Sequence, residues 1–176
     1  DALERELARL PARLRAKAES QASPLLRAFR RDLPALDDDA RHVRLAGILA
    51  ALDDGHSLYF PFFPASSIGI APLQARFFDD GLFIVAGGGS LSALRGSRIS
   101  DINGLPVDEA YRRVAPIVAA DNDDSRRHRA TLYMMSPRIW HALGAGDRDA
   151  LRLTLDDAGG RRTVDVRAGN RLRFAW

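Results

Sequence analysis

The sequence has no cysteine, which excludes a disulfide framework, a thiolate nucleophile and any zinc site built on Cys, while leaving the cellular compartment open. Lysine is almost as scarce. Of the 26 basic residues only Lys17 is a lysine and the other 25 are arginines, set against 23 acidic residues for a net charge of +3. The isoelectric point of about 9.9 reflects this arginine bias, and because most Arg clusters are interleaved with Asp, no basic domain results. No apolar run approaches the roughly 18 residues of a membrane-spanning helix, so no transmembrane segment is predicted. Nor is there a G-x-S-x-G elbow, an H-E-x-x-H pair, a calcium-loop pattern or a P-loop. Gly87-Gly88-Gly89-Ser90-Leu91-Ser92 lacks the third glycine of a dinucleotide-binding turn and reads as a flexible loop.

What remains is an ordinary globular composition, 46% hydrophobic over 176 residues, enough for one domain or two small ones without a staple. Residues 1–56 are expected to form a helical N-terminal domain. Leu3, Leu7, Leu10 and Leu14 make one apolar stripe broken at Pro11. Ser23-Pro24 reads as an N-cap and first helical residue of a second helix running to Leu33-Pro34. Asp37, Asp38 and Asp39 open a third, with Leu45, Ile48, Leu49 and Leu52 as its buried face and Gly55 at a left-handed C-terminal cap.

Residues 57–176 change to strand grammar, so the fold class expected is α+β. Strands are predicted over Ser57–Phe63, Leu73–Phe78 and Leu82–Ala86, the last two joined at Asp80-Gly81. Ile99–Ile102 runs into a second turn at Asn103-Gly104. Helices follow over Val107–Val118 and Asp123–Leu143, the latter interrupted at Pro137 and closed at Gly144, and a hairpin turning at Gly159-Gly160 ends the chain.

Few residues stand out chemically. Asp121-Asn122-Asp123-Asp124 reads as helix-cap chemistry in preference to a cation site, and no metal or other cofactor is expected. Arg126-Arg127-His128-Arg129 reads as a solvated helix face, because acids precede it and no aromatic stacking platform is interleaved, so no nucleic-acid partner is expected. Three of the four histidines fall within predicted helices. His56, in Asp53-Asp54-Gly55-His56-Ser57, lies instead between a helix end and a strand start. It either seals that junction by bonding a backbone carbonyl or serves as a working group on a rigid scaffold.

The order of these segments carries a resemblance. Leu52-Asp53-Asp54-Gly55-His56-Ser57, then Asp80-Gly81-Leu82-Phe83-Ile84-Val85, then Gly96-Ser97-Arg98-Ile99-Ser100-Asp101-Ile102-Asn103-Gly104-Leu105-Pro106-Val107, with Ala119-Ala120-Asp121-Asn122 after the next helix, resembles the N-terminal half of the tail-specific (C-terminal processing) and tricorn-type serine peptidases. The resemblance implies a PDZ-like module, a small β-sheet with helices, that receives an extended peptide by strand addition. Gly81, Leu82, Phe83, Ile84 and Val85 are the peptide-binding residues it implies, and His56 is the implied general base for a serine that this sequence does not contain. Lys17, on an amphipathic helix beside Arg15 and Glu19, is expected to stay hydrated and charged and so cannot replace that histidine. The function implied is that of a non-catalytic N-terminal region which positions a peptide or protein substrate for a C-terminal catalytic domain of the same protein. The alternative is a peptide-binding or scaffolding module of a protein without peptidase activity. Asp1 stands where an initiator Met would be, so a removed signal peptide and a periplasmic or extracellular location are expected.

Overall fold

A computed structural model of the chain describes residues 2–59 and 69–169, with the side chains of residues 2 and 3 left aside. The protein is α+β. Helices α1 (Ala2–Ala8), α2 (Ala12–Lys17), α3 (Ser23–Asp32) and α4 (Asp38–Ala50) precede the strands β1 (Leu73–Phe78), β2 (Gly81–Gly87), β3 (Arg98–Ile102) and β4 (Leu105–Pro106). Helices α5 (Val107–Val114), α6 (Asp123–Met134) and α7 (Pro137–Ala142) follow, then β5 (Ala150–Asp157) and β6 (Gly160–Arg167).

Local chemistry explains most of the boundaries. Pro11 separates α1 from α2 and occupies the N-cap of the latter. Ser23 does not cap a new helix, because its backbone is already helical and α3 continues from α2 through a π-helical turn, Ala18–Ala22. Pro24 has no N–H to donate and its ring crowds the preceding turn, and the widened turn just ahead of it absorbs both defects without ending the helix. Asp37 caps α4 by accepting from the Ala40 N–H at 2.7 Å. The left-handed residue beyond α4 is Asp53, at φ 47°, and not Gly55. Helix α5 stops at Val114 and tightens into a 3₁₀ turn, Ala115–Ile117, around Pro116. The stretch expected as one interrupted helix is α6 and α7, divided before Pro137 and closed by Gly144 at φ 70°.

The sheet is antiparallel throughout, in the order β1-β2-β3-β5-β6, with β4 paired to β3. Asp79 and Asp80 make the β1–β2 turn, so that Phe78 pairs with Gly81. Asn103 and Gly104 both take positive φ, 51° and 79°, which matches a type I′ turn to the twist of the strands it joins. Gly89–Leu94 form a 3₁₀ turn and not a flexible loop. Gly87 is needed there, since a Cβ would stand 2.4 Å from the Leu91 carbonyl oxygen. Of the strand expected over Ser57–Phe63, Ser57, Leu58 and Tyr59 are not strand and the remainder lies outside the described residues.

Two hydrophobic cores result. Leu7, Ala18, Ala22, Leu26, Phe29, Ile48 and Leu52 form the helical one, with Leu45 and Leu49 packed against it. The larger core is built on the inward residues Leu82 and Ile84 of β2, Ile99 and Ile102 of β3, which a register shift between them brings to one face, and Leu151, Leu153 and Leu155 of β5, roofed by Val114, Met134 and Trp140. Helix α4 belongs to both, since its Val43 and Ala46 face the sheet-bearing core while its Ile48, with Leu52 just beyond its end, faces the helical one. Asp39, at 1% exposure, reinforces the face toward the sheet-bearing core through ion pairs to Arg138 at 2.8 Å and Arg148 at 2.9 Å.

Candidate functional site

The loop that carries His56 leaves α4 through Leu52, fully buried in the helical core, and turns at Asp53. Asp53 is clasped from two directions, by Lys17 Nζ at 3.0 Å and by Arg126 Nη2 at 2.9 Å. Burial raises the pKa of its carboxyl, and the hydrogen bonds from Lys17 and Arg126 outweigh that, so the net direction is downward. Lys17 is therefore an ion-pair partner, 29% exposed at its side chain, and not a freely hydrated one. Its ammonium is engaged by the Asp53 carboxylate, so it is not placed to serve as a base.

The next residues are fixed by the segment before α6 and by α6 itself. The Gly55 N–H donates to Asp121 Oδ1 at 2.8 Å, and Arg129 donates through one nitrogen to the carbonyls of Gly55 at 2.8 Å and Ala119 at 2.9 Å. Arg126 donates to the Val118 carbonyl at 2.7 Å. Three residues apart on one face of α6, these two arginines lace residues 53–55 to residues 118–121. Gly55 fits because the Asp121 carboxylate comes so close, leaving a Cβ only 2.5 Å from Asp121 Oδ2. The Ser57 N–H then donates to Asp54 Oδ2 at 2.7 Å. Hydrogen bonding by Ser57 holds the Asp54 carboxyl below the usual carboxylate range, and the neighbouring His56 charge adds to the effect.

His56 itself is exposed on this pinned loop. Its imidazole and the carboxylates of Asp54 and Asp121 each bring a ligating atom to within 4.8 Å of the others. The structure thus joins the Asp-Gly-His-Ser motif to Ala119-Ala120-Asp121-Asn122, more than sixty residues later in the chain. Chemically, two carboxylates beside an imidazole can orient its ring and stabilise an imidazolium, or bind a cation. Asn122 is the cap of α6, accepting from the Ser125 N–H at 2.8 Å, whereas Asp121 caps nothing in α6 and serves the Gly55 loop. Cap chemistry alone therefore explains only part of the acidic stretch. Arg126-Arg127-His128-Arg129 is a solvated face only in part, since Arg127 and His128 are exposed. Arg126 and Arg129 turn to the loop, and Arg127 lies 4.2 Å over the Phe77 ring and 5.6 Å from that of Tyr111.

Gly81, Leu82, Phe83, Ile84 and Val85 are together in β2, which lies inside the sheet. Strand β1 pairs with it along its length, β3 pairs at Leu82 and Phe83, and Ile84 exchanges backbone hydrogen bonds with Ser97 at 3.0 Å and Gly96 at 2.8 Å. An added strand needs unpaired backbone groups, so over Leu82–Ile84 it finds none free. The outermost strands are β1 and β6, and α6 packs beside β1. Leu82 and Ile84 point into the core, whereas Phe83 and Val85 are half-buried on the other face. There they line an open hollow of about 360 Å³ with Phe78, Asp80, Arg95 and Gly96. Phe78, 49% exposed, meets Phe83 edge-on at 5.8 Å between ring centroids. The sequence pattern indicated the Phe83 side of the hollow. Nothing in the sequence pattern marks Arg95, which directly follows the 3₁₀ turn after β2.

No protein-family model matches this chain, and no curated protein matches it.

Proposed function

We propose that this chain is the substrate-positioning N-terminal portion of a serine-type peptidase of the tail-specific or tricorn type, with a PDZ-like sheet module and with His56 offered to a serine carried by a domain beyond it. The observation that supports this most is the convergence of Asp54, His56 and Asp121 on a loop held by Arg126, Arg129 and Lys17. A general base has to be exposed to its nucleophile and yet fixed in orientation. His56 is exposed, and the loop that carries it is pinned on both sides of it. In this reading the imidazole takes the proton of the serine hydroxyl as the oxygen attacks the peptide carbonyl, and a neighbouring carboxylate stabilises the imidazolium until the proton passes to the leaving amine. The hollow at Phe78, Phe83 and Val85 takes an apolar side chain of the substrate, a contact made by side chains and not by strand addition at β2. An exported protein is part of the proposal.

The test is the longer gene product, assayed on a quenched peptide library as wild type and as His56→Gln. The expected result is turnover lowered at least ~100-fold by the substitution, within the range general-base catalysis supplies, with an unchanged melting temperature. Retained turnover, or a gene product with no serine domain after position 176, overturns the proposal. In the latter case peptide binding at the hollow without hydrolysis would support the scaffolding alternative, which the surface of Phe78 and Phe83 favours because it needs no nucleophile.

A further inference from the structure

The carboxylates of Asp54 and Asp121 face the same space, each with a ligating oxygen within 4.8 Å of the other and of a His56 ring nitrogen. Like charges at that separation repel, and a bound cation would offset the repulsion. The arginines and the lysine nearest to them are committed elsewhere. Lys17 and Arg126 pair with Asp53, and Arg129 donates to the neutral Gly55 and Ala119 carbonyls without forming an ion pair to either carboxylate. Among the described residues neither Asp54 nor Asp121 is ion-paired to a lysine or arginine. Each carboxylate is also steadied by a backbone N–H, Asp121 by Gly55 and Asp54 by Ser57. Outer contacts of this kind orient metal ligands.

We propose that Asp54, His56 and Asp121 form a binding site for a divalent transition ion, Zn²⁺ in the first instance, with one imidazole nitrogen and two carboxylate oxygens as protein ligands and water completing the shell. One nitrogen with two carboxylates suits Zn²⁺ and similar ions, whereas Ca²⁺ and Mg²⁺ call for all-oxygen cages with more ligands. Ligand distances of about 2.0–2.2 Å require only a modest closing of three side chains, two on a loop that is already fixed and one on the segment before α6 that holds it. The ion occupies the lone pair with which His56 would accept a proton, so a loaded site is a silenced base. The inference does not rest on the peptidase reading, because binding is measured on this chain alone.

The experiment is isothermal titration of residues 1–176 with ZnCl₂, in parallel with ¹H–¹⁵N spectra of the four imidazoles. A saturable 1:1 event that moves the His56 resonances is expected. Asp54→Asn and Asp121→Asn should each raise Kd at least ~10-fold, His56→Ala should abolish the event, and His141→Ala should leave it unchanged. Because His56 is exposed, its truncation keeps the fold, and a melting curve on each variant confirms that. Absence of saturable binding up to about 1 mM Zn²⁺, or a Kd indifferent to both Asp→Asn changes, means an adventitious ion only and overturns the site. Zinc binding with full turnover by His56→Gln in the longer protein would leave the metal site standing and remove the peptidase reading. The reverse pattern would do the opposite.

Discussion

Gly55→Ala tests the junction at its tightest point. The backbone there does not require glycine, since Gly55 is not among the residues with positive φ. On its own, a Gly→Ala change at such a position stabilises by about 0.4–1 kcal/mol by narrowing the unfolded ensemble. Here the new Cβ would stand 2.5 Å from Asp121 Oδ2 and 3.1 Å from Asp121 Cγ, so the carboxylate must leave. Its departure removes the 2.8 Å hydrogen bond from the buried Gly55 N–H, a bond to a charged acceptor worth about 1.5–3 kcal/mol. Because Asp121 is exposed, the lower half of that range applies. The net cost is then ~0.5–1.9 kcal/mol, which at about 2–4 °C per kcal/mol for a chain of this size lowers the melting temperature by ~1–7 °C. The decisive measurement is the same substitution in an Asp121→Ala background. There the remaining obstacle is the end of Arg129, 3.1 Å away on a flexible side chain. The cost should vanish or change sign, giving a coupling of at least ~1 kcal/mol in a double-mutant cycle. Urea unfolding of the four proteins reads this directly. Equal costs in both backgrounds, or stabilisation by Gly55→Ala in the wild type, would refute the idea that the approach of Asp121 is why glycine stands here.

Asp39→Ala leaves Arg138, 16% exposed at its side chain, without the carboxylate it faces and should cost about 3 kcal/mol, at the low end of the range for a broken buried pair because Arg148 is half exposed. A loss below ~1 kcal/mol in urea unfolding would show that the pair does not tie α4 to α7. Asn103→Ala forces alanine into φ 51° and removes the acceptor for the Arg152 N–H at 2.9 Å, so a loss of ~1–2 kcal/mol is expected, with Asn103→Gly costing measurably less. Acid should destabilise the protein through Asp53 and Asp54, whose carboxyls are both held below the ordinary value. An aspartate with a folded pKa below its unfolded one leaves the unfolded chain holding more protons, so the stability it provides above about pH 4 is lost as pH falls through the folded pKa. Lys17→Met removes one of the hydrogen bonds that lower Asp53 and should flatten the acid limb of a stability-versus-pH curve. An unchanged limb would show that the Lys17 pair contributes nothing.

What the sequence made legible depends on the range over which each feature is decided. The Asn103-Gly104 turn and the Gly144 stop were readable because a residue's own backbone preference settles them within two or three positions. The inward face of β5 was readable for a similar reason, since Leu151, Leu153 and Leu155 alternate and all three are buried. Helix α4 was half legible. Its leucine and isoleucine face stood out, whereas the second face, Val43, Ala46 and Asp39, is small or polar and gains meaning only from the sheet core and the two arginines that come to it about a hundred residues later. His56 followed the same rule: its place between two elements marked it, but its neighbours were hidden, because Asp121 and the Arg126–Arg129 clasp arrive from 66 to 74 residues away in sequence. Arginines that looked like a charged solvent face prove to be the fasteners of that loop. The scarcity of lysine bears on this too. Compared with the ammonium of lysine, the fork of an arginine can more readily bind a carbonyl and a carboxylate at once, as Arg126 does with Val118 and Asp53. In this chain an arginine-rich helix between two acidic loop segments is therefore better read as a clamp than as a surface, and the residue it presents, His56, is where function is to be sought.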